Sequence, residues 1–178
     1  MQSIVETASR TDIPRYAELA QAAQAFLRSK GLAQWVPAAH PAFLPNLAAK
    51  VERLSLCKVS RGKDAIAFFD FSFEPGEWWS GRVGMAGYLS GIVVARASRG
   101  LGIGSFILEF AEAKARGRGA QYLRLDCHAG NNWLCEYYRA HGFAEVARVE
   151  QHPGYFGALY QKPVNYDPPE GSTGLARL

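Results

Sequence analysis

Apolar positions recur along the chain with two periods, and the changes of period mark the elements. Tyr16, Leu19, Ala20, Ala23, Phe26 and Leu27 fall at helical spacing. Thr11 or Asp12 caps that helix, Pro14 lies in its first turn and Gly31 ends it. A short strand signal precedes it at residues 3–6. Residues 31–45, with Trp35, His40 and several prolines, form an irregular connection. Leu44, Leu47, Ala48, Val51 and Leu54 mark a second amphipathic helix. The period then falls to two. A strand over 54–59 and a turn at 61–64 lead to a strand over 65–73 that alternates strictly. Ala67, Phe69, Phe71 and Phe73 share one face; Ile66, Phe68, Asp70 and Ser72 share the other. Asp70, a carboxylate on a largely apolar face, needs a partner or a task. Residues 74–84 form a loop with adjacent Trp78 and Trp79. Adjacent side chains of a regular strand point to opposite faces, so one of the pair packs while the other is free to line a pocket.

The run from Tyr88 to Val94 reads as a buried strand, with Gly91 marking a bulge or a close backbone approach. A helix over 105–116 and a second strand over 121–126 follow, parallel to the first through a right-handed crossover. Asn131 or Asn132 caps a further helix that ends at His141-Gly142. Residues 143–149 and 155–161 close the pattern as an antiparallel pair. The whole is an α/β (α+β) fold on a mixed sheet, one domain over 1–162. The composition turns to Pro, Gly and polar residues over 163–178, which reads as a flexible tail without a motif.

Composition narrows the function classes. The 178 residues are 48% apolar and 20% charged, as in an ordinary globular domain. The net charge of +4 and pI near 9.0 suit a polyanionic ligand, but the Lys and Arg are scattered, which argues against nucleic acid. No window is apolar enough to span a membrane. Cys57, Cys127 and Cys135 make an odd count without C-x-x-C spacing, which predicts free thiols in a reducing cytoplasm and no metal.

Residues 87–105 carry the chemistry. Strand, basic turn and alternate glycines (Gly100, Gly102, Gly104) run into a helix. Such a loop turns successive N–H groups toward one point at the positive end of a helix, beside Arg96 and Arg99. The ligand carries phosphate, most simply a diphosphate. Two ligand classes fit. Asp126 stands near the distance at which a ribose-binding acid follows a dinucleotide loop. However, the spacing is G-x-G-x-G, and too little chain follows for a doubly wound sheet.

The other class follows from a resemblance. Arg99-x-x-Gly102-x-Gly104 after a strand ending in Val94 resembles the acyl-CoA diphosphate loop of the GNAT N-acetyltransferase superfamily. Asn131, Tyr138 seven residues later and Gly142-Phe143 resemble its second signature. The resemblance covers residues 57–162 and implies a sheet splayed between two parallel strands, with helices on both faces. It implies acetyl-CoA as donor: Ile92, Val93 and Val94 against the pantetheine arm; Arg99, Leu101, Gly102, Ile103, Gly104 and Ser105 around the diphosphate; Asn131 and Tyr138 near the thioester. It implies an amine acceptor, a small molecule or peptide, beside Trp35, Trp79, Ser90 and His128. Tyr138 is the expected general acid, with Tyr137, 100° around the helix, facing elsewhere. Many members carry an acid on the central strand, where this chain has Ser90-Gly91. Asp70, Asp126, His128 or water remain as bases. A GNAT-like module that binds acyl-CoA without turnover is the non-enzymatic reading. Either reading fits a monomer or a homodimer.

Overall fold

The computed structural model describes residues 2–32 and 40–164. Its elements, in chain order, are β1 (Ser3–Thr7), α1 (Ile13–Arg28), α2 (Phe43–Glu52), β2 (Leu56–Arg61), β3 (Asp64–Ser72), β4 (Ala86–Val94), α3 (Ile103–Gly117), β5 (Tyr122–His128), α4 (Asn132–Ala140), β6 (Ala144–His152) and β7 (Tyr155–Pro163). They form a 7-stranded sheet in the order β1-β2-β3-β4-β5-β7-β6. Every pairing is antiparallel except β4 with β5. That parallel pair is joined through α3, as a crossover requires.

The two faces of the sheet bury two separate cores. Ala67, Phe69, Leu89, Leu123, Leu125 and Tyr160 face α3 and α4, against Ile103, Ile107, Ala111 and Tyr138. Leu56, Phe68 and Val93 face α1 and α2, against Leu19, Ala20, Leu47 and Val51. The alternation of β3 thus places its Phe68 side on one core and its Phe69 side on the other, as period two demands.

Several boundaries differ from the sequence pattern. Leu54 belongs to neither α2 nor β2. It is 71% exposed at φ +57°, the left-handed turn through which the chain leaves the helix. The helix after the glycines begins at Ile103, two residues early, because Gly102 at φ +75° supplies the turn into it. The loop before β4 contains a single 3₁₀ turn, Glu77–Trp79, that buries Trp79 and leaves Trp78 half-buried. β7 runs to Pro163 and Val164 is buried, so ordered structure passes the expected limit at 162. Trp35 and residues 165–178 lie outside the described residues.

The parallel pair shapes the site. β4 and β5 stay in register from Ala86↔Tyr122 to Leu89↔Leu125 and pair no further. Beyond that point β4 follows β3 and β5 follows β7. On β4 the register jumps from Asp70↔Ser90 to Phe68↔Val93, so Gly91 and Ile92 oppose the single residue Phe69. This is a β-bulge, with Gly91 at φ +60°. The bulge bends β4 away from β5 and opens a wedge whose first residues are Ser90 and Asp126.

Candidate active site

A cavity of about 870 Å³ fills the wedge and continues to the N-terminus of α3. β4 contributes Ser90 to Val94, the glycine loop contributes Arg99, Gly100 and Gly102, and α4 contributes Asn131, Leu134 and Tyr138. A second cavity, of about 1200 Å³, includes Asp70, Trp78, Trp79 and Tyr88 in its walls. Both reach Leu89, Ser90 and Asp126. The two cavities thus share wall residues at the splay.

The first cavity has the features of a diphosphate site at one end. Gly100 and Gly102 both take φ +75°, and a Cβ on either would meet nothing within 4 Å, so the backbone conformation is what calls for glycine. The first N–H bonded inside α3 is that of Phe106, to the Gly102 carbonyl, so the N–H groups of Ile103, Gly104 and Ser105 are free for a ligand. Arg99 lines this end, its guanidinium 5.0 Å from the Phe26 ring centroid and its Nε–H directed to the Val94 carbonyl. Lys30 of the α1–α2 connection adds a second cation. The α1 side of the cavity, with Phe26, Leu27 and Lys30, gave no sign in the sequence, since nothing local ties those residues to the loop some seventy positions on.

At the other end stands Tyr138. It is buried, its ring against Phe143 and Tyr160, and its hydroxyl makes no hydrogen bond among the described residues. Burial, with Cys127, Asp126 and Tyr137 close by, pushes the phenol well above its ordinary value. It stays protonated, a donor awaiting an acceptor. Asn131 caps α4, its Oδ1 accepting from the Leu134 N–H at 3.2 Å. The cap fixes the helix start against the splay, which seats Tyr138 two turns on.

Tyr137 does not face elsewhere, as the 100° offset suggested. It lines the same cavity, with its hydroxyl 3.3 Å from Ser105 Oγ. Ser105 Oγ also lies 2.9 Å from His141 Nε2, while His141 Nδ1 lies 2.8 Å from the Tyr137 carbonyl oxygen. A carbonyl only accepts, so Nδ1 carries a proton and donates to it. The cavity is wide enough at α4 that two consecutive residues both reach it. Trp133, Tyr137 and His141 recur every fourth residue, which was the available signal.

The carboxylates of the splay differ in kind. Asp70 is engaged: Lys50 Nζ is 3.0 Å from Oδ2, Ser55 donates to Oδ1 and Ser90 Oγ donates to Oδ2 at 3.4 Å. Asp126, the first residue of β5 beyond the parallel pairing, is held less firmly. Burial pushes its carboxyl above the ordinary range, and the Gln151 amide and the Lys50 ammonium offset that only in part. His128 accepts from the Gly130 N–H at Nδ1 (2.9 Å) and stands edge-on to Tyr155. Burial lowers its pKa, so the ring is neutral. Trp79 is buried against Tyr88 and against Arg124, whose guanidinium lies 5.4 Å from the indole centroid. Arg124 is itself 2% exposed, held by Gln161, Tyr88 and the carbonyls of Val83 and Gly84. It pins the Trp79 loop over the second cavity, a role the sequence did not disclose.

Cys127 and Cys135 turn away from the wedge into the α3–α4 core, with Sγ atoms 3.7 Å apart. All three cysteines are free. Among the described residues, no helix is long and apolar enough to cross a membrane.

A parallel pair that parts at a bulge, above a glycine cradle at a helix N-terminus, is an arrangement that suits an acyltransferase. The sequence profile of the acetyltransferase (GNAT) family matches residues 17–143, and the chain belongs to that family. A curated relative, an aminoglycoside N(6')-acetyltransferase type 1 from Klebsiella aerogenes, is 34% identical over 107 residues, covering 58% of this chain and 68% of that one. An acetyltransferase of the GNAT family from Listeria monocytogenes has the same fold, with TM-score 0.73 and 23% identity over 90% of this chain and 94% of that one. A Salmonella typhimurium protein solved with its cofactor acetyl-CoA superposes with TM-score 0.66 at 14% identity, over 94% of this chain and 97% of that one. Acetyl-CoA is the donor that members of the family use. The residues present fit it: free N–H groups and two cations for the phosphates, the bulged β4 backbone for the pantetheine arm, and a protonated phenol at the wedge.

Proposed function

We propose that the chain transfers the acetyl group of acetyl-CoA to a primary amine of a small molecule or peptide, by direct attack. The observation that carries the reading is the meeting of two cavities at Ser90 and Asp126, beside the unpartnered Tyr138 hydroxyl. Acetyl-CoA supplies an activated acyl thioester when bound. The backbone of Ile92, Val93 and Val94 orients the arm, and Leu101 to Ser105 with Arg99 hold the phosphates.

The amine must reach the acyl carbon uncharged. Asp126 is the base. Its carboxyl is raised by burial toward the pH at which it works, and it faces both cavities. Asp70 is better suited to holding the site open, because Lys50, Ser55 and Ser90 already occupy its oxygens. The Trp78-Trp79 loop bounds the acceptor, whereas His128, predicted beside it, lines neither cavity. Tyr138 gives its proton toward the departing sulfur. A thiol titrates near 8.5 and this phenol higher, so the tyrosine is fully protonated when needed. A covalent route through Cys127 is disfavoured. Its thiol is raised by burial, it points into the core and its nearest partner is another thiol.

The Klebsiella relative makes aminoglycosides the first acceptors to screen, followed by polyamines and peptide N-termini. The test is release of free CoA thiol with such a panel, for wild type and Tyr138→Phe. The expected result is turnover with at least one amine and a kcat lower by about 10²-fold in the variant, with KM nearly unchanged. Binding of acetyl-CoA with no turnover on any amine would instead support a sensor. A change confined to KM would make Tyr138 a binding group.

A further inference from the structure

Trp133 is out of place as a core residue. It is 71% exposed in the first turn of α4, yet its indole is fixed. It stacks on Tyr137 at 5.4 Å with only 15° between the ring planes. Tyr137 in turn packs on His141 at 4.3 Å, and Ser105 Oγ meets both lower rungs. The result is a ladder of rings along one stripe of α4, tied at its base to the first turn of α3. Tyr137 covers one face of the indole. The other face is open.

The ladder stands beside the phosphate cradle, since Trp133 and Tyr137 line the same cavity as Gly102, Gly104 and Ser105. Gly104 is needed there, because a Cβ on it would lie 2.5 Å from the Tyr137 hydroxyl. The donor is a linear molecule: thioester, pantetheine, diphosphate, nucleoside. With the thioester at Tyr138 and the diphosphate on the α3 N-terminus, the nucleoside must leave the cradle along one of its walls. The α1 wall offers Phe26, but the Arg99 guanidinium already covers that ring. The α4 wall offers the bare face of Trp133.

We propose that Trp133 is the seat of the adenine ring, stacked as the outermost rung of the ladder, with Tyr137, His141 and Ser105 holding it in place. This rests on the assignment of acetyl-CoA as donor and adds the residue that recognises its nucleoside end. The seat is pre-ordered, so stacking costs little side-chain entropy. Stacking of one base on an aromatic side chain is strong enough to change affinity by about tenfold or more.

The experiment is calorimetric titration with two ligands, acetyl-CoA and acetyl-4′-phosphopantetheine, which keeps a phosphate and the thioester but lacks the nucleoside. Trp133→Ala is expected to weaken acetyl-CoA by about tenfold and leave acetyl-4′-phosphopantetheine within about twofold. Trp133→Tyr is expected to recover most of the acetyl-CoA loss. Adenosine 3′,5′-bisphosphate should quench the tryptophan fluorescence of the wild type and not that of Trp133→Tyr. Equal weakening of both ligands would overturn the proposal, because the indole would then serve the arm or the helix. Unchanged acetyl-CoA affinity in Trp133→Ala would overturn it too. A wild type that binds acetyl-4′-phosphopantetheine no differently from acetyl-CoA speaks against the nucleoside seat alone, whereas one that binds neither removes the donor assignment beneath it.

Discussion

At the scale of single residues, the candidate site holds a group whose ionised form the fold disfavours, Asp126. Burial raises its carboxyl, so the ionised form is disfavoured in the folded chain relative to the unfolded one. For an acid raised in this way, stability is fully present below its unfolded pKa and is lost as pH rises through the folded value. Asn carries the neutral shape without the charge. Asp126→Asn is therefore expected to melt at a higher temperature than wild type at pH 7.5, and at nearly the same temperature at pH 4, by scanning calorimetry. A variant no more stable at pH 7.5 would mean that Asp126 is better compensated than its surroundings indicate. Glu145 shows the opposite case. Arg148, Tyr160 and Arg139 around it hold its carboxyl at about 2, an ordinary ionised surface group with no part in the cleft. Among the site residues, the position of Tyr138 on α4 followed from the resemblance and that of Asp126 on β5 from the strand pattern, while the choice among the candidate bases stayed open. The engagement of Asp70 by Lys50 was not legible, because it joins β3 to α2 across a distance that no local pattern encodes.

At the scale of elements, one irregularity in one strand makes the cleft. The bulge at Gly91 takes β4 off β5 at the residue after Leu89. A Cβ at Gly91 would meet the Tyr16 hydroxyl at 3.5 Å and Lys50 Nζ at 3.9 Å, both ordinary contacts, so space is not what demands glycine. The backbone at φ +60° is. Gly91→Val is expected to cost about 1–3 kcal/mol in urea unfolding. It should also weaken acetyl-CoA binding, because a β-branched residue drives β4 back toward a regular ladder with a narrower wedge. Full acetyl-CoA affinity in that variant would show that the bulge is not what opens the site. The element order was readable from the chain. Period two placed β3, the glycine triplet placed the turn into α3, and the valine-rich run placed β4. The exact ends were less so. Leu54 carries a helical spacing and a strand-like neighbour but adopts neither, since a left-handed turn on an exposed leucine leaves no mark in the pattern. Likewise the second face of α4 reads as polar and aromatic by turns, and only the position of α3 shows that Trp133 and Tyr137 face a cavity.

At the scale of the whole molecule, the sheet is the partition. One core lies under α3 and α4 and the other under α1 and α2, and the strands that divide them part at a single place. Among the described residues, the proposed donor cavity and the second cavity share walls at Leu89, Ser90 and Asp126. That geometry favours direct transfer between two bound molecules, with the protein moving only protons. It also explains why the acceptor was the least legible feature. The walls of the second cavity come from β3, the loop before β4 and β5, and are pinned by Arg124, a buried cation with aromatic and carbonyl partners that no motif announces. Proton removal by Asp126 is tested by the pH dependence of kcat/KM for acetyl transfer to the best amine found, in wild type and Asp126→Asn. The wild-type rate is expected to fall on the acid side at a pH above the ordinary carboxylate range, and the variant to lose that limb together with about 10²-fold or more of its rate. A variant with the wild-type rate and the same acid limb would contradict that role.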